Sequence, residues 1–182
     1  MAASIEHYQL PLPAFKEAVR LLIVVSPYYR QIADGMIEGA RAVAAAAGAS
    51  VDLVEVPGAL EIPTAIGLAA GRNLYDGYVA LGCVIRGETT HYDTVCNDSS
   101  RGLTLLGLQG HCIGNGILTV ENTDQAVVRS DPKGQNKGGG AAAAALHLIA
   151  LKRGWAGKGV AAATGSRDVI RMAGEIDGPS GA

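Results

Sequence analysis

The chain has 182 residues, enough for one domain with a single buried core. Hydrophobic residues make up 48% of it and aromatics only 4%, which points to small residues packed between helices and sheet rather than to an aromatic core. The formal charge of −2 excludes a general attraction to nucleic acid or to an acidic membrane surface.

In chain order, residues 1–19 carry Pro11 and Pro13 in an undistinguished run and read as an extended arm. Leu21 to Val25 (LLIVV) reads as a buried strand, with Ser26-Pro27-Tyr28-Tyr29 at its carboxyl end. Ile32, Met36, Ile37, Ala40, Val43 and Ala44 follow helical spacing from about Gln31 to Ala47, and Gly48 ends that helix. Ser50 to Val56 alternates as a second strand. A helix from about Leu60 to Arg72 follows, tolerating Pro63 only in its first turn.

Gly77 to Asp98 holds the chemically richest stretch. An apolar strand ends at Ile85, Arg86-Gly87 break it, and a helix restarts with Thr90 as N-cap and Asp93 completing a capping-box pattern. Free amides at such a junction, with the helix dipole, form an anion site around Glu88 and Thr89. The same dipole favours neutral His91, suiting it to proton transfer. A surface histidine on a capped helix is the plainer reading of the same residue.

Ile113 to Val120 is a fourth strand, in which Gly114-Asn115-Gly116 hints at a bulge or a close backbone approach. A short helix from about Asp124 to Arg129, a polar loop and an alanine-rich helix to about Arg153 complete the domain, residues 20–154. Residues 155–182 lack periodicity and read as a partly disordered tail.

Strands alternating with helices imply right-handed βαβ units, a parallel sheet and a ligand site beyond the strands' carboxyl ends. The segments 26–29, 57–61, 85–91 and 119–129 are expected to converge there. Tyr28 would offer a ring face, Glu61 a hydroxyl acceptor, His91 a proton relay, and Arg129 and Lys137 an anion clamp. The glycines 138–140 follow a loop rather than a strand, so close packing explains them better than a phosphate loop. The four histidines lack metal-ligand spacing, and no metal is expected. Cys83, Cys96 and Cys112, odd in number and without CxxC spacing, suit a reducing compartment. With no basic and apolar leader and no run long enough to span a bilayer, a cytoplasmic protein is expected.

VPGALEIPTA (56–65), GCVIRGETTHYDTVCN (82–97), GILTVENTDQA (116–126) and NKGG (136–139) resemble the lumazine synthase family over roughly residues 18–154. The resemblance implies a flavodoxin-like α/β/α sandwich with a four-stranded parallel sheet in the order 2-1-3-4. It implies a pentamer with active sites between subunits, in some members stacked into decamers or closed into icosahedral shells. The implied reaction condenses 5-amino-6-ribitylaminouracil with 3,4-dihydroxy-2-butanone 4-phosphate, releasing phosphate and water, without cofactor or metal. Carried over by motif, Tyr28 stacks on the pyrimidine, and Ala59, Leu60 and Glu61 contact the ribityl chain. The Cys83–Ile85 backbone, including Val84, reads the pyrimidine edge. Glu88, Thr89, Arg129 and Lys137 bind phosphate, and His91 transfers protons. Asn115 stands where a pocket-closing Phe is usual, Tyr29 where Asn is common, and Gly140 and Val128 where Glu is frequent. Asn115, Gly140 and Val128 support a second reading, a weakly catalytic or non-catalytic shell-forming or flavin/lumazine-binding relative.

Overall fold

Two strands carry unbroken apolar runs and two alternate, and their burial follows that pattern. The computed structural model describes residues 9–156 and the pair 160–161. β1 (Ala14–Phe15) is short. β2 (Val19–Val25) and β4 (Gly77–Ile85) are central and nearly continuously buried, whereas β3 (Ala49–Glu55) and β5 (Cys112–Val120) lie at the sheet edges and alternate. The parallel order is β3-β2-β4-β5. Counted over these four strands alone, that is the expected 2-1-3-4, and the fold is flavodoxin-like.

The layers follow from crossover handedness. α1 (Arg30–Ala46) leads from β2 outward to β3, whereas α2 (Glu61–Ala70) and α3 (His91–Leu108) lead back across the sheet toward β4 and β5. Right-handed connections running in opposite directions must cover opposite faces. α1 therefore packs on Leu21, Ile23, Val79 and Leu81, while Ile62, Ile66 and Leu103 cover Leu22, Val24, Tyr78 and Ala80. α4 (Thr123–Ser130) and α5 (Lys137–Trp155) follow the last strand and fill the face beside α1, burying Ala126, Ala142, Leu146 and Ile149 in the α1 core.

Small residues make that second packing possible. A Cβ on Gly114 would overlap the carbonyl oxygen of Ala141, and one on Gly138 would overlap the carbonyl of Met36. Close approach by α5 therefore explains Gly114, and β5 keeps an unbroken register through it (Val79↔Gly114, Leu81↔Gly116) without a bulge. Gly138 sits where α5 meets α1, whereas Gly140 faces open space.

The arm is anchored more firmly than its composition suggests. β1 pairs antiparallel with β6 (Val160–Ala161), a strand inside the segment read as tail. Arg153 donates to the carbonyls of Glu17 (3.1 Å) and Ala18 (2.8 Å), pairs with Asp76 at 2.9 Å and lies 5.6 Å from the Phe15 ring centroid. The expectation of disorder concerns residues that otherwise lie outside those described. Among the described residues, no helix is long and apolar enough to cross a membrane.

Candidate active site

β2, β3 and β4 run parallel, so the loops that leave them meet at one end of the sheet. Together with the start of α3 they enclose a cleft of about 400 Å³. Ser26 donates its backbone N–H to Leu81 O (2.9 Å) and its hydroxyl to Pro57 O (3.4 Å), tying the first loop to the other two. Tyr28 and Tyr29 follow as an edge-to-face pair with centroids 5.1 Å apart, and Tyr28 keeps 74% of its surface exposed. Burial, with smaller contributions from Tyr28 and Cys83, holds the Tyr29 phenol above its ordinary pKa.

From β3 come Gly58, Ala59, Leu60 and Glu61. The Glu61 carboxylate curls back over Gly58, where a Cβ would stand 2.7 Å from Oε2. From β4 come Cys83, Val84 and Ile85, all half-buried. Burial pushes the Cys83 thiol up to about 11, so it stays protonated near neutral pH and serves as wall rather than nucleophile. Gly87, Thr89, His91, Tyr92 and Val95 close the far side.

The start of α3 differs from the expected capping box. Thr90 has helical dihedrals (φ −69°, ψ −1°) and makes no side-chain cap bond, because a capping side chain needs an extended backbone at that position. Asp93 turns instead to Arg86 at 3.4 Å. The His91 N–H donates to Thr89 Oγ1 (3.4 Å), while the N–H groups of Glu88 and Thr89 donate to no acceptor among the described residues. They are the amides expected to meet an anion. The Glu88 side chain is exposed and does not line the cleft.

Asn115, Arg129 and Lys137 lie elsewhere. With Gly116, Thr119 and Gly140 they line a second cleft of about 330 Å³ at the β5 edge, below α4 and α5. Arg129, at the end of the fourth expected segment, thus does not line the cleft formed by the other three within one chain, because α4 belongs to the sheet face opposite α3. Arg129 is held by a bond from Nη1 to the Gln125 carbonyl (3.1 Å), and the Asn115 side chain accepts from the Ile117 N–H (3.0 Å). Among the described residues, neither Arg129 nor Lys137 forms an ion pair. Tyr92 and Val95 are cleft residues that the sequence reading missed. They occur at core-like or generic helix positions and carry no spacing signal that would single them out.

Residues 18–153 match the family model described as 6,7-dimethyl-8-ribityllumazine synthase. A protein of that name from Jannaschia sp. (strain CCS1) is 57% identical over 146 residues, covering 80% of this chain and 82% of that protein. Namesakes from Novosphingobium aromaticivorans and Zymomonas mobilis are 53% and 51% identical, covering 75% and 74% of this chain and 98% and 96% of their own lengths. With an aromatic cleft and a cationic one placed by a flavodoxin-like sheet and a family match over residues 18–153, the chain belongs to the 6,7-dimethyl-8-ribityllumazine synthase family.

Proposed function

We propose that the chain condenses 5-amino-6-ribitylaminouracil with 3,4-dihydroxy-2-butanone 4-phosphate to 6,7-dimethyl-8-ribityllumazine, a step of riboflavin biosynthesis. The observation that carries the reading is the meeting of Tyr28, Ala59–Glu61, Cys83–Ile85, Thr89 and His91 in one cleft. Tyr28 would stack on the pyrimidine, the Cys83–Ile85 backbone read its edge, and Glu61 accept bonds from ribityl hydroxyls. The 5-amino nitrogen bonds to the ketone carbon and its oxygen leaves as water. The adjacent hydroxyl-bearing carbon then gives up its proton as phosphate leaves with its C–O electron pair, and the resulting enol becomes a ketone. The ribitylamine nitrogen closes the ring on that ketone carbon, whose oxygen leaves as a second water. His91 moves protons at the amine and the departing oxygen, and the free amides of Glu88 and Thr89 receive phosphate.

Arg129 and Lys137 enter this scheme from a second copy of the chain. One chain carries two unlike clefts on different parts of its surface, so a contact joining the first to the neighbour's second is head-to-tail, and such a contact builds a ring when its rotation closes. A pentamer with active sites between subunits is the assembly proposed. Its further closure into a shell is supported by the short turn after α4. Asp131 accepts there from Gly134 N (3.0 Å), Asn136 N (3.0 Å) and Lys133 N (2.9 Å), so Pro132 sits in a tied loop. A cytoplasmic location belongs to the same proposal and suits the three free thiols. The same proposal divides the chain into an arm (1–19), the α/β domain (20–154) and a tail (155–182).

A steady-state assay with both substrates, following lumazine absorbance, tests the activity. Turnover is expected, and folded protein that forms no lumazine would turn the reading toward the non-catalytic relative. Mass in solution tests the assembly. A particle of at least five subunits is expected, a monomer or dimer overturns the ring, and a bare pentamer removes only the shell.

A further inference from the structure

Arg86 closes β4, and no role has yet been assigned to it. Its N–H donates to Val120 O (2.9 Å), fixing its backbone beside the end of β5. Its guanidinium gathers three groups from two elements. Nε bonds Glu121 Oε2 at 2.7 Å, Nη1 lies 3.4 Å from Asp93 Oδ1, and the central carbon sits 4.0 Å from the centroid of the Tyr92 ring. Glu121 in turn donates its own N–H to Gln125 Oε1 (3.1 Å) at the start of α4. Tyr92 and Asp93 directly follow His91 in the first turn of α3, and Tyr92 lines the first cleft.

We infer that Arg86 is a positioning residue for the reaction, holding the first turn of α3 so that His91 faces the cleft. The inference rests on the proposed role of His91. Two observations favour it over a surface ion pair. The first turn of α3 has no side-chain cap, and among the described residues its approach holds only local bonds, the long one from His91 N–H to Thr89 Oγ1 and those from the Asp93 and Thr94 N–H groups to Thr90 O. The Arg86 cluster is therefore what ties this turn to the sheet's carboxyl edge. Arg86 is also 41% exposed, where ion pairs add little to stability. Its planar fork, by contrast, fixes direction by pairing with two carboxylates while stacking on a ring, which a lysine cannot reproduce.

A mutant cycle decides it, with kcat measured at saturating levels of both substrates for Arg86→Ala, His91→Ala and the double variant. Arg86→Ala is expected to lower kcat roughly 10- to 100-fold, the scale of a displacement of about 1 Å in a reacting group. It should leave both KM values within about threefold and the thermal unfolding temperature near that of the unsubstituted protein. In the His91→Ala background the same change should cost less than about twofold, since the group it positions is gone. Arg86→Lys should remain impaired and carries the same cycle if Arg86→Ala does not fold. Full activity of the Arg86 variants, or an equal loss in both backgrounds, overturns the inference. A His91→Ala variant with unchanged kcat instead overturns the histidine role beneath it.

Discussion

Replacing His91 by alanine is expected to lower kcat by roughly 10²–10⁴-fold, the usual contribution of one general acid–base group. A residual rate should remain. Holding two reactants in register is worth about 7–11 kcal/mol of barrier by itself, and that part resides in Tyr28, the Ala59–Glu61 segment and the amides before α3. Stability should hardly change, because His91 is exposed and its backbone N–H bond to Thr89 Oγ1 survives the substitution. The loss should therefore fall on kcat, with the melting temperature preserved. Steady-state kinetics with thermal unfolding on the same preparation separates the two effects. An unchanged kcat would remove His91 from the proton-transfer role.

The sequence makes the strands legible because periodicity reports burial. LLIVV is unbroken where β2 is covered on both faces, and β5 alternates where it forms an edge. Other features depend on partners far along the chain. Thr90 and Asp93 have capping-box spacing, yet a guanidinium seven residues before Asp93 takes the carboxylate, and the local motif gives way to a tertiary one. Arg153 anchors the arm through the carbonyls of Glu17 and Ala18, 136 and 135 positions away, with no pattern to announce it. The glycines of β5 signalled a close approach without saying that α5 was the approaching element.

Which site residues would meet was only half legible. The rule that ligands bind beyond the carboxyl ends of parallel strands brings Tyr28, Glu61 and His91 together, because their loops leave three adjacent strands. It does not fix the side of the sheet for Arg129. Helices between strands have their face set by crossover handedness, but α4 follows the last sheet strand and has no such constraint. It filled the vacant face beside α1, where Ala126 is fully buried. Arg129 and Lys137 were thereby moved to a cleft of their own.

Arg129→Ala should consequently behave as damage to a neighbour's site. Losing a charge-assisted phosphate contact is expected to cost about 1.5–3 kcal/mol. It should appear in kcat/KM for the phosphorylated ketone and leave affinity for the ribitylaminouracil nearly intact. Titrating the two substrates separately checks this, and equal weakening toward both would sink the clamp. Location is tested by mixing. A site built from His91 of one copy and Arg129 of the next is whole when an Arg129→Ala chain supplies the first cleft and a His91→Ala chain supplies the second. Unfolding the two crippled variants together and refolding them as mixed rings should leave about a quarter of the sites with both residues, since each site draws one chain from either side of a head-to-tail contact. Activity should then rise well above that of either variant refolded alone. If both residues served the site of their own chain, every site in the mixture would still lack one of them and mixing would restore nothing. The separation of the two clefts by the sheet and α4 favours recovery.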